Sequence, residues 1–147
     1  MMLGAEEIQR IIPHRPPMLL VDAVTACEPG KWLTAELTVR GEAPLPGSLL
    51  IESWAQAALL LIMRDAPSPD VLAGMVPVAG ALEGIRFGRP VRPGETVEHR
   101  INLLRLRGGT AFIQGGSRVG GDTVLDIDRI VAGLRPASVL RTVEENQ

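Results

Sequence analysis

The chain has 147 residues, enough for one domain with a substantial core and too few for two ordinary ones. Apolar residues make up 46%, which excludes a disordered chain, and a net charge of −2 removes the electrostatic case for nucleic acid. Cys27 is the only cysteine, so an intrachain disulfide is excluded and a cytoplasmic location is expected.

The first residues, MMLGAEEIQRIIPHR, lack a basic region followed by a long apolar run, so they do not read as a secretory leader. Ala5–Ile12 reads as a short amphipathic helix with Ile8, Ile11 and Ile12 on one side, ended by Pro13. Leu19–Ala26 reads as a strand, and Glu28-Pro29-Gly30 as a turn. Trp32–Arg40 is a second strand, with Leu33, Ala35, Leu37 and Val39 in one phase. Pro46-Gly47 then punctuates the chain, and a helix is predicted from about Ser48 to Met63. This helix is apolar nearly all round and must be enclosed on most sides. At 1.5 Å rise per residue it runs roughly 24 Å, the length of a sheet but short for a membrane span. Asp65–Val78 reads as a loop. Four strands follow, over Val78–Phe87, Thr96–Leu106, Thr110–Val119 and Thr123–Leu134, separated by Pro93-Gly94, Gly108-Gly109 and Gly120-Gly121. The tail after Pro136 reads as frayed.

One enclosed helix beside about six mostly antiparallel strands is an α+β layer architecture in a single domain spanning residues 1–147. Its sheet edges call for a second subunit to cover them.

Three blocks carry a family resemblance: Ile12–Val24 (IPHRPPMLLVDAV), Pro46–Ala58 (PGSLLIESWAQAA) and Gly84–Val97 (GIRFGRPVRPGETV). In order and spacing they resemble the (3R)-hydroxyacyl-acyl carrier protein dehydratases. The resemblance implies a hotdog fold, a curved antiparallel sheet around one long central helix. It also implies a dimer, an acyl tunnel at its interface, and a partner acyl carrier protein that delivers the substrate on phosphopantetheine. No cofactor and no metal are implied. In that family a G-H-F-P segment before the helix supplies a catalytic histidine, and a carboxylate on the helix of the other subunit completes the pair. Here the chain runs Gly41-Glu42-Ala43-Pro44-Leu45-Pro46-Gly47, and the G-H-F-P segment is read as deleted.

The resemblance places the catalytic carboxylate at Glu52; the alternative is a carboxylate kept near the helix start for its dipole. Burial would suit such a group to proton donation. Gln56, one turn on, either points toward the site or satisfies backbone groups across the interface. Gly47 matches the glycine whose N–H binds the thioester carbonyl, or is a plain turn glycine. Arg86, Arg89 and Arg92 form a basic run that either contacts an acidic carrier protein or lines a solvated strand edge. His14 and His99 read as structural, His99 facing inward in phase with Val97 and Ile101, and neither has metal-ligand companions. Asp22 reads as bonding to a turn backbone. Ser48 and Ser53 lack hydrolase partners at a recognisable spacing.

The expected function is a dehydratase-like subunit of fatty-acid or polyketide type that lacks independent activity and pairs with a His-bearing homologue that completes the site. The alternatives are an active homodimeric dehydratase or isomerase, and a hotdog thioesterase or non-catalytic acyl-binding partner.

Overall fold

The computed structural model describes residues 2–64, 75–136 and 138. In chain order the elements are α1 (Ala5–Ile11), β1 (Ala23–Glu28), β2 (Trp32–Thr38), α2 (Gly47–Ile62), β3 (Met75–Phe87), β4 (Thr96–Arg107), β5 (Thr110–Val119) and β6 (Asp122–Pro136). The six strands form one sheet in the order β1-β2-β4-β5-β6-β3, with every neighbouring pair antiparallel.

Alternation sets which face turns inward. On β2, Leu33, Ala35 and Leu37 are buried between half-exposed neighbours. Val97 and Ile101 of β4, Ala111 and Ile113 of β5, and Leu125 and Ile127 of β6 share that face. They close on Trp54, Ala57, Ala58, Leu60 and Leu61 of α2, which packs across β2, β4 and β5. Ile8, Ile11 and Ile12 bring α1 onto the same core.

α2 begins after Pro46, whose carbonyl accepts from the N–H groups of Leu49 and Leu50. Its close approach to the sheet depends on Gly115. A Cβ there would lie 2.0 Å from the Arg100 carbonyl oxygen and 3.3 Å from the Trp54 ring. Trp54 Nε1 donates to that same carbonyl at 3.1 Å.

Two predicted boundaries differ from the structure by three residues or more. The first strand starts at Ala23 rather than Leu19, because the backbone at residues 18–20 is bound by a side chain, Gln56, instead of a strand ladder. β3 starts at Met75 rather than Val78, since pairing with β6 reaches as far as Met75 opposite Pro136. The rest of the predicted Asp65–Val78 loop, residues 65–74, lies outside the described residues, as does the tail beyond Pro136 except Ser138.

Asp22 bonds to strand β2 rather than to a turn. Its Oδ2 accepts from Thr38 N at 2.7 Å, and its Oδ1 from Arg40 Nη1 at 3.1 Å.

Candidate active site

Glu52 lies in the second turn of α2, past the first turn where a helix dipole acts on a carboxylate. The dipole therefore does not account for it. Gln56, one turn on, is fully buried and uses its amide completely. Its Oε1 accepts from Leu20 N at 2.8 Å, which fixes the amide orientation. Its Nε2 donates to Met18 O at 2.9 Å and to Glu52 Oε1 at 3.0 Å. Gln56 thus does not take up the expected alternative of backbone groups across an interface. It satisfies backbone groups, within its own chain, and it orients Glu52.

The segment that Gln56 fastens also carries His14. Arg15 Nη1 donates to the carbonyls of Ile12 and His14, both at 2.9 Å, holding the turn. His14 Nε2 comes 3.6 Å from Glu52 Oε1, a close approach longer than a hydrogen bond. Its Nδ1 is the one buried side-chain nitrogen or oxygen without a partner among the described residues. Burial lowers the His14 pKa from its ordinary value; Glu52 pulls it back up and Arg15 pushes it down further. The imidazole is therefore neutral near pH 7.

His14, Glu52 and Gln56 line a cavity of about 230 Å³ between α2 and the sheet. Its other walls are Ala55, Ala58, Leu59 and Ile62 from the helix, and Pro77, Ala79, Ile113, Ile130 and Ala132 from the sheet. The polar groups thus gather at one side of an apolar chamber. Glu52 Oε2 has no protein partner among the described residues. The Glu52 side chain is 42% exposed and that of His14 24%.

His99 is held very differently. Ser53 Oγ donates its single proton to Leu20 O at 2.6 Å. At 2.7 Å from His99 Nε2 it must therefore accept, so Nε2 carries the ring proton. Nδ1, 2.7 Å from Ser117 Oγ, then accepts the Ser117 proton. Both ring nitrogens are satisfied and burial holds the pKa down to about 3. This is a neutral structural histidine.

Gly47 does not line the Glu52 cavity. It borders a separate hollow of about 210 Å³ with Leu45, Phe87, Arg89 and Val91. The N–H groups of Gly47 and Ser48 have no acceptor among the described residues, while Leu49 and Leu50 bond back to Pro46. A Cβ on Gly47 would meet the Phe87 ring at 3.0 Å, so the glycine has a packing reason as well.

The arginines are largely spent within the chain. Arg86 pairs with Asp126 at 2.6 Å and Asp128 at 2.7 Å. Arg89 forks onto Glu95 at 2.9 Å and reaches Asp122 at 3.0 Å. These bonds raise both arginine pKa values, and Arg89 draws that of Glu95 down. Arg92 is exposed and only its backbone N–H bonds to Glu95, at 2.7 Å.

Sequence reasoning placed Glu52 and Gln56 together but set His14 aside. The signal available was its position two residues before the Pro16-Pro17 turn, and sequence alone does not bring that turn onto α2. Among the described residues no group of side chains gathers that could hold a metal ion.

A model of the FabA-like domain matches residues 12–128, four fifths of the chain. The chain belongs to the FabA-like family. Two curated relatives of this FabA-like chain are 3-hydroxyacyl-[acyl-carrier-protein] dehydratases FabZ. The one from Anaeromyxobacter sp. (strain Fw109-5) is 34% identical over 86% of this chain and 87% of the relative. The one from Clostridium tetani is 32% identical over 86% and 94%. Among solved structures, the dehydratase heterocomplex ApeI:P from Xenorhabdus doucetiae superposes with a TM-score of 0.78 at 18% identity, covering 92% of this chain and 95% of that one. The fluoroacetyl-CoA thioesterase FlK superposes with a TM-score of 0.66 at 11% identity, covering 84% and 98%. These likenesses show the hotdog fold expected for the FabA-like family.

Proposed function

We propose that the chain is a dehydratase-type hotdog subunit acting on 3-hydroxyacyl thioesters held by an acyl carrier protein, with Glu52 as proton donor to the departing hydroxyl. The observation that carries this reading is the setting of Glu52, a carboxylate fixed by Gln56 at the side of an apolar chamber. Dehydration needs a base at C2 and an acid at the C3 hydroxyl, and an apolar wall suits the acyl chain. The FabZ relatives bear names of this activity, which supports the substrate class. The N–H groups of Gly47 and Ser48 would face a thioester carbonyl only in an assembled site, since their hollow is separate from the Glu52 chamber in one chain.

The working unit in this reading is a pair of hotdog chains joined along β3, the edge strand next to the Glu52 cavity. β3 is 13 residues long and leaves Val78, Leu82 and Phe87 about half exposed. Of the three arginines, Arg92 is the one whose charge remains to meet an acidic carrier protein. A cytoplasmic location belongs to the same reading, with Cys27 a free thiol.

A second reading takes the base from a His-bearing homologue in a mixed pair. The read deletion of the G-H-F-P segment motivates it, and the heterocomplex named among the structural neighbours supports it.

The test is turnover of a 3-hydroxyacyl thioester by the chain alone and by the chain mixed with such a homologue, followed by enoyl thioester absorbance. Glu52→Gln keeps shape and hydrogen bonding but cannot donate the proton. Its expected loss is about 10²–10⁴-fold in kcat/KM with assembly intact. Wild-type turnover by Glu52→Gln would remove Glu52 as the donor. Release of free thiol in place of enoyl product would move the chain to the thioesterases.

A further inference from the structure

We propose that His14 is the general base of this chain, forming with Glu52 a complete acid–base pair within one protomer. The inference rests on the dehydratase reading above and names the base that the missing G-H-F-P segment would otherwise have supplied.

Four observations converge on it. The chain holds only two histidines, and His99 is enclosed with both nitrogens bonded to serines. His14 instead points Nε2 at Glu52 Oε1 from 3.6 Å and leaves Nδ1 without a partner among the described residues. A histidine retained for structure alone has its nitrogens satisfied, as His99 does. Both His14 and Glu52 line one chamber whose remaining walls, Gln56 apart, are apolar. The segment that carries His14 is tied to the helix that carries Glu52 through the Gln56 amide, which bonds Met18 O, Leu20 N and Glu52 Oε1.

The charged groups acting on His14 are Glu52 from α2 and Arg15 from its own turn, and among the described residues the sheet wall of the chamber adds no charged side chain. Burial and Arg15 disfavour the imidazolium. In the reacting form the single proton the pair shares sits on Glu52 Oε2, the imidazole is neutral, and its Nε2 lone pair accepts.

The chemistry then balances without a co-reactant. His14 Nε2 takes the C2 proton, and the C2–H electron pair becomes the C2–C3 double bond. The C3–O bond breaks, and the hydroxyl leaves as water with the proton of Glu52 Oε2. This leaves an imidazolium beside a carboxylate. The proton passes from His14 Nε2 to Glu52, which restores both groups. Dehydration releases no net proton, and a pair this close resets itself without exchange with solvent.

The experiment uses the full chain and the N-acetylcysteamine thioester of 3-hydroxybutyrate, with both enantiomers supplied. The isolated chain is expected to turn over. His14→Ala is expected to lose about 10²–10⁴-fold in kcat/KM. Added imidazole is expected to restore part of that rate, and to restore none in Glu52→Gln. His14→Gln, which keeps polarity but has no titratable nitrogen, is expected to stay as low as His14→Ala. Wild-type rates in His14→Ala overturn the inference. So does a loss that imidazole does not rescue while the unfolding temperature stays unchanged, since His14 then only supports the turn. Activity that appears only with a His-bearing homologue and is indifferent to His14→Ala also overturns it, and leaves the dehydratase reading standing. No turnover in any combination defeats that reading itself, and the inference with it.

Discussion

At the scale of single residues, the two histidines show how surroundings assign a role to one side-chain type. His99 is clamped between Ser53 and Ser117 and excluded from water, so its charged form is strongly disfavoured. Its folded pKa of about 3 lies below the ordinary 6.5. The unfolded chain therefore binds a proton that the folded chain refuses, and stability falls as pH drops from about 6.5 toward 3. The slope is at most about 1.4 kcal/mol per pH unit. Above pH 6.5 this group adds no pH dependence. Urea unfolding at pH 7, 6 and 5 should show the decline, and His99→Gln should make it shallower, leaving the part that His14 contributes. The shallower slope identifies His99 even if the variant is less stable throughout. His14 is a quarter exposed at the chamber, with an unpartnered nitrogen, and its surroundings leave it available for chemistry.

At the scale of elements, α2 and the β4–β5 pair are fitted to one another at Gly115. The Arg100 carbonyl occupies the space a Cβ would need, and it also receives the Trp54 indole N–H. Gly115→Ala must therefore push β4 away from β5 or tilt Trp54 out of its place. Overpacking of this kind costs about 1–3 kcal/mol. The expected result is a lower urea midpoint at an unchanged m-value, with wild-type stability in the variant counting against this account. Such a shift would also be felt at Glu52, because Trp54 and Glu52 lie two residues apart on the same helix. The alternation on β2 and β4 was legible in sequence, as was the all-round apolar character of α2. The start of β1 was not. What ends the strand pattern there is a glutamine more than thirty residues away, and no local periodicity reports on it.

At the scale of the whole molecule, the sheet has two open edges, β1 and β3. β1 is short and partly shielded where Leu3 pairs with Val24. β3 is long, and Leu82, more than half exposed, marks it as the edge that seeks a partner. Wild-type protein is expected to behave in solution as a pair of chains. Leu82→Arg, which places a charge on that edge, should shift the mass to a single chain while leaving circular dichroism unchanged. A wild-type monomer, or a Leu82→Arg pair as stable as wild type, would argue for another interface. The same variant bears on activity, since the wall of the Glu52 chamber includes Pro77 and Ala79 of β3.

The amino-acid sequence by itself determined the α+β class, the enclosed helix, the inward phase of the strands and the position of Glu52 and Gln56 one turn apart. These are properties of periodicity and short-range spacing, set by 3.6 residues per helical turn and by the two-residue repeat of a strand. The motif blocks added the family. Only the tertiary structure decided what stands opposite Glu52. His14 reaches it because the turn after α1 is folded over α2 and pinned there by Gln56, a contact between segments about forty residues apart. The tertiary structure also turned Arg86 and Arg89 toward carboxylates on β6 and just before β4, where a linear reading saw only a run of positive charge. In both cases the reason is the same. A side chain's chemistry depends on its neighbours in space, and a sheet with this strand order brings together residues that the chain keeps far apart.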